Sequence, residues 1–295
     1  MPDITAINAN WIAVIPFGFS YKGKPFVRYN ESKFQWWGER PEGLVETIRL
    51  AKEANLKILM KPQVYVHGDW PGGIDFETEE EWEKWEADYS KYILQLAKIA
   101  ADQKVELFCI GTEFKIALQR RPDYWKNLIV TIRGIYSGPL TYAANWDEFF
   151  SIPISFWKQL DYAGLDAYFP LSEEHTPSVK TLKKAWEPIK RKISDRQSEI
   201  DIPVIFTEYG YLTIDGCAGK AWILETEINK RSINQQAQAN AIEALFQTFY
   251  QEDWWAGGFI WKWFPKMKGH EGYPAKDYTP QGKLSQTVLK SWFSK

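Results

Sequence analysis

Short apolar runs alternate with longer amphipathic ones along the whole 295-residue chain, and this alternation limits the possible folds more than any single motif does. Apolar runs over 11–17, 56–66, 105–111, 140–145, 162–169, 204–208 and 259–264 read as strands. Helical patterns over 42–54, 79–101, 123–136, 179–199, 233–251 and 283–292 fill the intervals. Within 79–101, Trp82, Trp85, Tyr89, Ile93, Leu96 and Ala100 recur at three- and four-residue spacing, which makes one buried helix face. Strands separated by helices pair in parallel, so the pattern predicts a doubly wound sheet or a (β/α)8 TIM barrel. No GxGxxG or GxxxxGK[ST] follows a predicted strand, and nucleotide-binding forms of the open sheet lose their support. The pair Gly257-Gly258 precedes the predicted 259–264 strand and would sit on the barrel face opposite the functional loops. With no repeats, low-complexity tracts or linkers, residues 1–295 read as a single domain.

Charge and composition exclude several functions. With 36 basic and 38 acidic side chains and no long basic run, no nucleic-acid or anionic-membrane partner is expected. No stretch approaches the ~20 apolar residues of a membrane span. Cys109 and Cys217 form no CxxC pair, and His67, His175 and His270 are scattered, so neither a zinc site nor any other cofactor is implied. Cys109 lies in an apolar run and reads as a small core residue. The segment MPDITAINAN has no charged n-region and no apolar h-region. That leaves open a cytoplasmic protein or a secreted one whose N-terminus has been removed. A monomer is expected. The 16 Trp, 15 Tyr and 17 Phe are many for this length; such rings stack on the C–H faces of sugars, although they also fill ordinary cores.

Two predicted strands end in a Glu in matching context: FCIGTEF at 108–114 and IFTEYG at 205–210. The C-terminal rim of a parallel barrel is where such folds gather functional side chains. Two carboxylates on that rim could flank a glycosidic bond. One would protonate the leaving oxygen, and the other would attack the anomeric carbon or activate water. The competing reading, a Glu paired with a rim Lys or Arg, is strong for one such residue and weaker for two in the same setting.

At this point the chain resembles glycoside hydrolase family 113. The similarity is carried by GTEF (111–114), LTYAANW (140–146), LDYAGLDAYFPL (160–171), FTEYGY (206–211) and FIWKWF (259–264), with KPQV (61–64) and GDWPGGI (68–74) upstream. The resemblance implies a retaining, β-mannan-degrading (β/α)8 barrel with its acid/base on strand four and its nucleophile on strand seven. Glu113 would then be the acid/base and Glu208 the nucleophile, on carboxyl groups ~5–5.5 Å apart. That numbering makes 11–17 strand two, so the barrel is expected to lack its first strand in this chain, with residues 1–10, a neighbouring molecule or solvent covering the edge. Tyr168 is placed to donate to Glu208. Trp261 is the expected platform beneath the cleaved sugar, with Trp263 as the alternative. Trp70, Asn145 and Trp146 would wall subsites, while Lys61 and Gln63, of one strand parity, would bond sugar hydroxyls. Thr112 stands where the wider clan has an Asn that bonds the 2-hydroxyl, and Gln63 where His is expected; both leave the sugar open. The substrate implied is an oligo- or polysaccharide, β-1,4-mannan first. Another β-hexoside, or a non-catalytic carbohydrate-binding barrel, stays as the alternative.

Overall fold

Proline decides where the first two predicted strands stop. The computed structural model describes residues 1–31, 35–264 and 275–295. Strand β1 (Trp11–Val14) ends just before Pro16, and β2 (Phe17–Tyr21) starts immediately after it. In the same way β3 (Lys57–Met60) and β4 (Gln63–His67) lie on either side of Pro62. Proline has no N–H to give to a ladder. The expected strands over 11–17 and 56–66 are therefore each two strands. β1 and β3 pair in parallel with Trp11 opposite Lys57, while β2 and β4 form a separate two-stranded parallel sheet with Phe17 opposite Gln63. The proline carbonyls remain acceptors: Pro16 takes bonds from the Gln63 N–H (3.1 Å) and the Tyr92 hydroxyl (2.8 Å).

The described residues fall into two compact units, Trp11–Gly164 and Met1–Asn10 with Leu165–Lys295. In the first, β5 (Leu107–Thr112), β6 (Leu140–Asn145) and the start of β7 (Tyr162–Asp166) continue the main sheet in the order β1-β3-β5-β6-β7. β5 is buried throughout, as expected for a parallel strand covered on both faces. Helices over Pro41–Glu53, Glu79–Asp102 and Pro122–Ile135 accompany these strands. A capping box of Thr78 and Glu81 starts the Glu79–Asp102 helix. Trp82, Trp85, Tyr89, Ile93, Leu96 and Ala100 are all buried, and the Tyr89 hydroxyl donates to the Ile110 carbonyl of β5 at 2.8 Å.

In the second unit β8 (Val204–Tyr209) and β9 (Trp255–Ile260) follow β7. The end of β7 is tied to β8 by the Thr207 hydroxyl, which donates to buried Asp166 at 2.7 Å, and by the Ala167 N–H, which donates to the Glu208 carbonyl at 2.8 Å. The last strand runs earlier than the expected 259–264, and Gly257-Gly258 lies inside it rather than before it. A side chain at Gly258 would meet Cβ of Phe206 at 2.8 Å, and the β8–β9 register shifts on both sides of the Phe206–Gly258 pair. The two glycines mark a bulge with a close backbone approach, not a strand start. Met1–Asn10 carries a short helix, Pro2–Thr5, and no strand. Among the described residues the main sheet has seven strands. All six helices expected from the sequence are present, with ends within two residues of expectation.

Candidate active site

The Trp11–Gly164 unit holds Glu113 directly after β5. Its φ of +58° lies in the left-handed region, uncommon for a residue other than glycine and a recurrent feature of functional positions. The Glu113 N–H donates to the Ala143 carbonyl of β6 at 2.8 Å, and its own carbonyl accepts from the Lys115 N–H at 2.9 Å. One donor to its carboxylate is the indole of Trp70, whose Nε1–H meets Oε2 at 2.5 Å. The ring of Trp70 lies on the backbone of Gly72, where an added Cβ would sit 2.1 Å from the indole. Gly72 is therefore what allows the ring to lie flat in the β4 loop. Trp70 was expected only as a subsite wall, so its bond to Glu113 goes beyond the sequence reading.

Thr112, the last residue of β5, is buried, and its hydroxyl donates to the Pro62 carbonyl at 3.0 Å. Its proton is thus committed to the backbone break between β3 and β4. Lys61, just before that break, is fully enclosed, whereas Gln63 opens β4 and is half-buried. Pro62 separates the two, and the N–H groups of Lys61 and Gln63 donate to the Val14 and Pro16 carbonyls at 2.9 and 3.1 Å. Asn145 closes β6, with half-buried Trp146 next to it. Oδ1 of Asn145 is buried without a hydrogen-bond partner among the described residues.

Sequence reasoning missed Glu148. It is buried, accepts from the Tyr142 hydroxyl at 2.9 Å and from the Asn145 N–H at 3.3 Å, and so braces the turn that presents Asn145. Burial pushes its carboxyl up to about 7, against the opposing pull of those two bonds. The legible signal was the three-residue spacing from Asn145 in NWDE, a pattern by which an acid reaches back to a backbone N–H.

The Leu165–Lys295 unit holds Glu208 within β8, about as buried as a core residue at 8% exposure. The Tyr168 hydroxyl donates to its Oε2 at 2.8 Å. Burial first, and then the charge of Glu208, push the Tyr168 phenol far above its ordinary value, so it stays a protonated donor. The edge of Tyr278 meets the Tyr168 ring at 6.2 Å, and the Tyr278 hydroxyl donates to Glu225 at 2.7 Å. Trp261 and Trp263 both lie beyond the end of β9, where strand alternation no longer says which side a residue faces. Trp261 is held by its N–H, which donates to the Tyr209 carbonyl at 2.7 Å, and the Lys262 ammonium lies 3.6 Å from Asp277. Each unit thus presents one strand-end carboxylate that accepts a hydrogen bond from an aromatic side chain, an arrangement suited to acid–base or nucleophilic work. Among the described residues, no group of three or more His, Cys, Asp or Glu could hold a metal ion. No helix among them is long and apolar enough to cross a membrane.

No curated protein matches the sequence. Among solved structures, the chain is similar to a family 113 β-mannanase from Alicyclobacillus acidocaldarius in complex with ManMIm, with TM-score 0.84 and 24% identity over 99% of this chain and 90% of that one. A family 113 β-1,4-mannanase matches with TM-score 0.81 and 23% identity over 99% of this chain and 90% of that chain. A β-glucuronidase from Ruminococcus gnavus is more distant, with TM-score 0.65 and 17% identity, and this chain covers 45% of it. These likenesses show a (β/α)8-barrel fold. The profile of Glycoside Hydrolase Family 113 matches residues 2–283, nearly the whole chain. With that match, the protein is a glycoside hydrolase whose substrate is a carbohydrate, and the chain belongs to glycoside hydrolase family 113.

Proposed function

We propose that the chain hydrolyses β-1,4-linked mannan or manno-oligosaccharides with retention of configuration, using Glu113 as acid/base and Glu208 as nucleophile. The observation that carries the assignment is the Tyr168–Glu208 hydrogen bond. A nucleophilic carboxylate must stay ionised in a buried setting, and a phenol that keeps its proton stabilises the charged form. In the first step a Glu208 oxygen bonds to the anomeric carbon as the glycosidic C–O bond breaks. Glu113 delivers its proton to the leaving oxygen. Water then attacks the same carbon, gives its proton to Glu113, and releases Glu208. The N–H of Trp70 orients the Glu113 carboxyl, and the strained φ of Glu113 holds that carboxyl in place after β5. The buried Asn145 Oδ1 would accept from a sugar hydroxyl. The choice of mannan is supported by the β-mannanases among the solved structures.

Trapping with a 2-deoxy-2-fluoro-β-mannosyl donor tests both halves of the reading. The expected result is a covalent sugar on the Glu208 peptide by mass spectrometry, with none on Glu208→Gln. A panel of β-mannan, β-glucan and β-xylan then assigns the polymer. No adduct and no hydrolysis of any of the three would turn the reading toward a non-catalytic carbohydrate-binding barrel.

A further inference from the structure

The small β2/β4 sheet has one face packed and one face open. Gly18, Ser20, Val64 and Val66 are buried, and a side chain at Gly18 would meet Val27 at 2.8 Å and the ring of Tyr92 from the Glu79–Asp102 helix at 3.4 Å. The opposite parity carries Phe19 (37% exposed) opposite Tyr65 (54%), and Tyr21 (52%) opposite His67. Phe19 and Tyr65 lie 6.4 Å apart and Tyr21 and His67 5.4 Å apart, as edge-on ring pairs. A third segment joins on the Phe19 side. Arg28 exchanges two backbone bonds with Phe19, at 2.8 and 2.9 Å, and its guanidinium lies 4.6 Å over Phe26, whose ring is 6.1 Å from that of Tyr21. The open face is therefore a block of rings whose rows repeat every two residues, about 6.6 Å along the strands.

We infer that this face is a glycan-binding platform that holds a β-linked polysaccharide chain beyond the point of cleavage. Two relationships support this occupant. The first is continuity: the same parity row begins at Gln63, and β4 leads in three residues to Trp70, the donor to Glu113. Tyr21, Lys22, Asp69 and Trp70 also line one recess, with Lys22 and Asp69 paired at 3.4 Å. The second is chemistry. Among the described residues the face has no Leu, Ile, Val or Met; its rings are interspersed with two phenol hydroxyls, an imidazole and a guanidinium. A sugar chain offers alternating C–H faces and hydroxyls to match. The inference rests on the proposed function only in that the Glu113 end handles a sugar chain, not in that the sugar is mannose.

The test is the double variant Phe19→Ala/Tyr65→Ala, both exposed positions on a sheet face. Affinity electrophoresis through gels containing soluble β-mannan, β-glucan or β-xylan reads binding directly. On the platform reading, at least one polymer retards the wild type, and the variant binds it at least fivefold more weakly. In parallel, the ratio of kcat/KM on polymer to kcat/KM on a disaccharide falls about tenfold. Loss of retardation on a polymer other than mannan supports the platform and overturns only the mannan assignment. Equal retardation of variant and wild type overturns the platform, while a sugar trapped on Glu208 would leave the proposed function intact. Wild type that no polymer retards also overturns it. So does a change confined to self-association in sedimentation, which would make the face a contact between copies.

Discussion

The indole N–H of Trp70 reaches Oε2 of Glu113 at 2.5 Å and ties the loop after β4 to the residue that follows β5. Trp70→Phe keeps an aromatic, though smaller, ring and removes the N–H donor. A hydrogen bond to a charged group contributes about 1.5–3 kcal/mol. The expected outcome is a fall in kcat/KM of roughly ten- to hundredfold, with thermal stability nearly unchanged. Steady-state kinetics beside a melting curve will check it; kinetics equal to wild type would remove the orienting role.

Gly72 is the floor under that indole. Gly72→Ala puts a methyl into the space the ring occupies, 2.1 Å from its nearest atom, so the ring must move and the bond to Glu113 must lengthen or break. The variant should reproduce most of the kinetic loss of Trp70→Phe. Combining the two should add little further, because one bond is lost in both.

Tyr168→Phe removes the donor to Glu208. The bond matters most where Glu208 carries charge, so kcat should fall about tenfold or more, with a smaller change in KM. Pre-steady-state measurement should locate the loss in breakdown of the glycosyl-enzyme, where Glu208 departs as a charged carboxylate. A defect confined to KM would place Tyr168 in sugar binding instead.

Glu148 makes stability depend on pH in a direction unusual for a carboxylate. Its folded-state value of about 7 lies above the ordinary 4.5. Between those values the folded chain keeps a proton that the unfolded chain has lost. The favourable contribution is full below pH 4.5 and is lost as pH rises through 7. A shift of that size corresponds to roughly 3 kcal/mol. Glu148→Gln should gain stability relative to wild type between pH 4.5 and 8 by up to that amount, read from urea midpoints at the two pH values. A constant difference across the range would refute the assignment.

Much of the architecture was legible because periodicity is a local property. The Glu79–Asp102 helix shows why: its apolar stripe and the Thr78/Glu81 box lie within a few residues of one another and need no partner to be recognised. The positions of Glu113 and Glu208 at strand ends were legible for the same reason. Trp70 was expected as a subsite wall but not as a partner of Glu113, because 43 residues separate the two and no spacing rule joins them. Glu148 was missed because a carboxylate in a polar-looking run gives no sign of being buried until β6 and its turn enclose it.

The amino-acid order by itself determined the alternation of strand and helix, the faces that are buried, and which carboxylates follow a strand. Tertiary structure decided the rest, wherever two distant segments had to agree. Pro16 and Pro62 became strand breaks paired across β2 and β4 because both ladders lose a donor at the same level. Gly257-Gly258 became a bulge inside β9 because Phe206 leaves no room for a side chain opposite it. Residues 17–21 and 63–67 became an open aromatic face because the Glu79–Asp102 helix covers only one side of the sheet they form. Periodicity records what one segment prefers; bulges, hydrogen-bond partners and exposed faces depend on what a second segment leaves available.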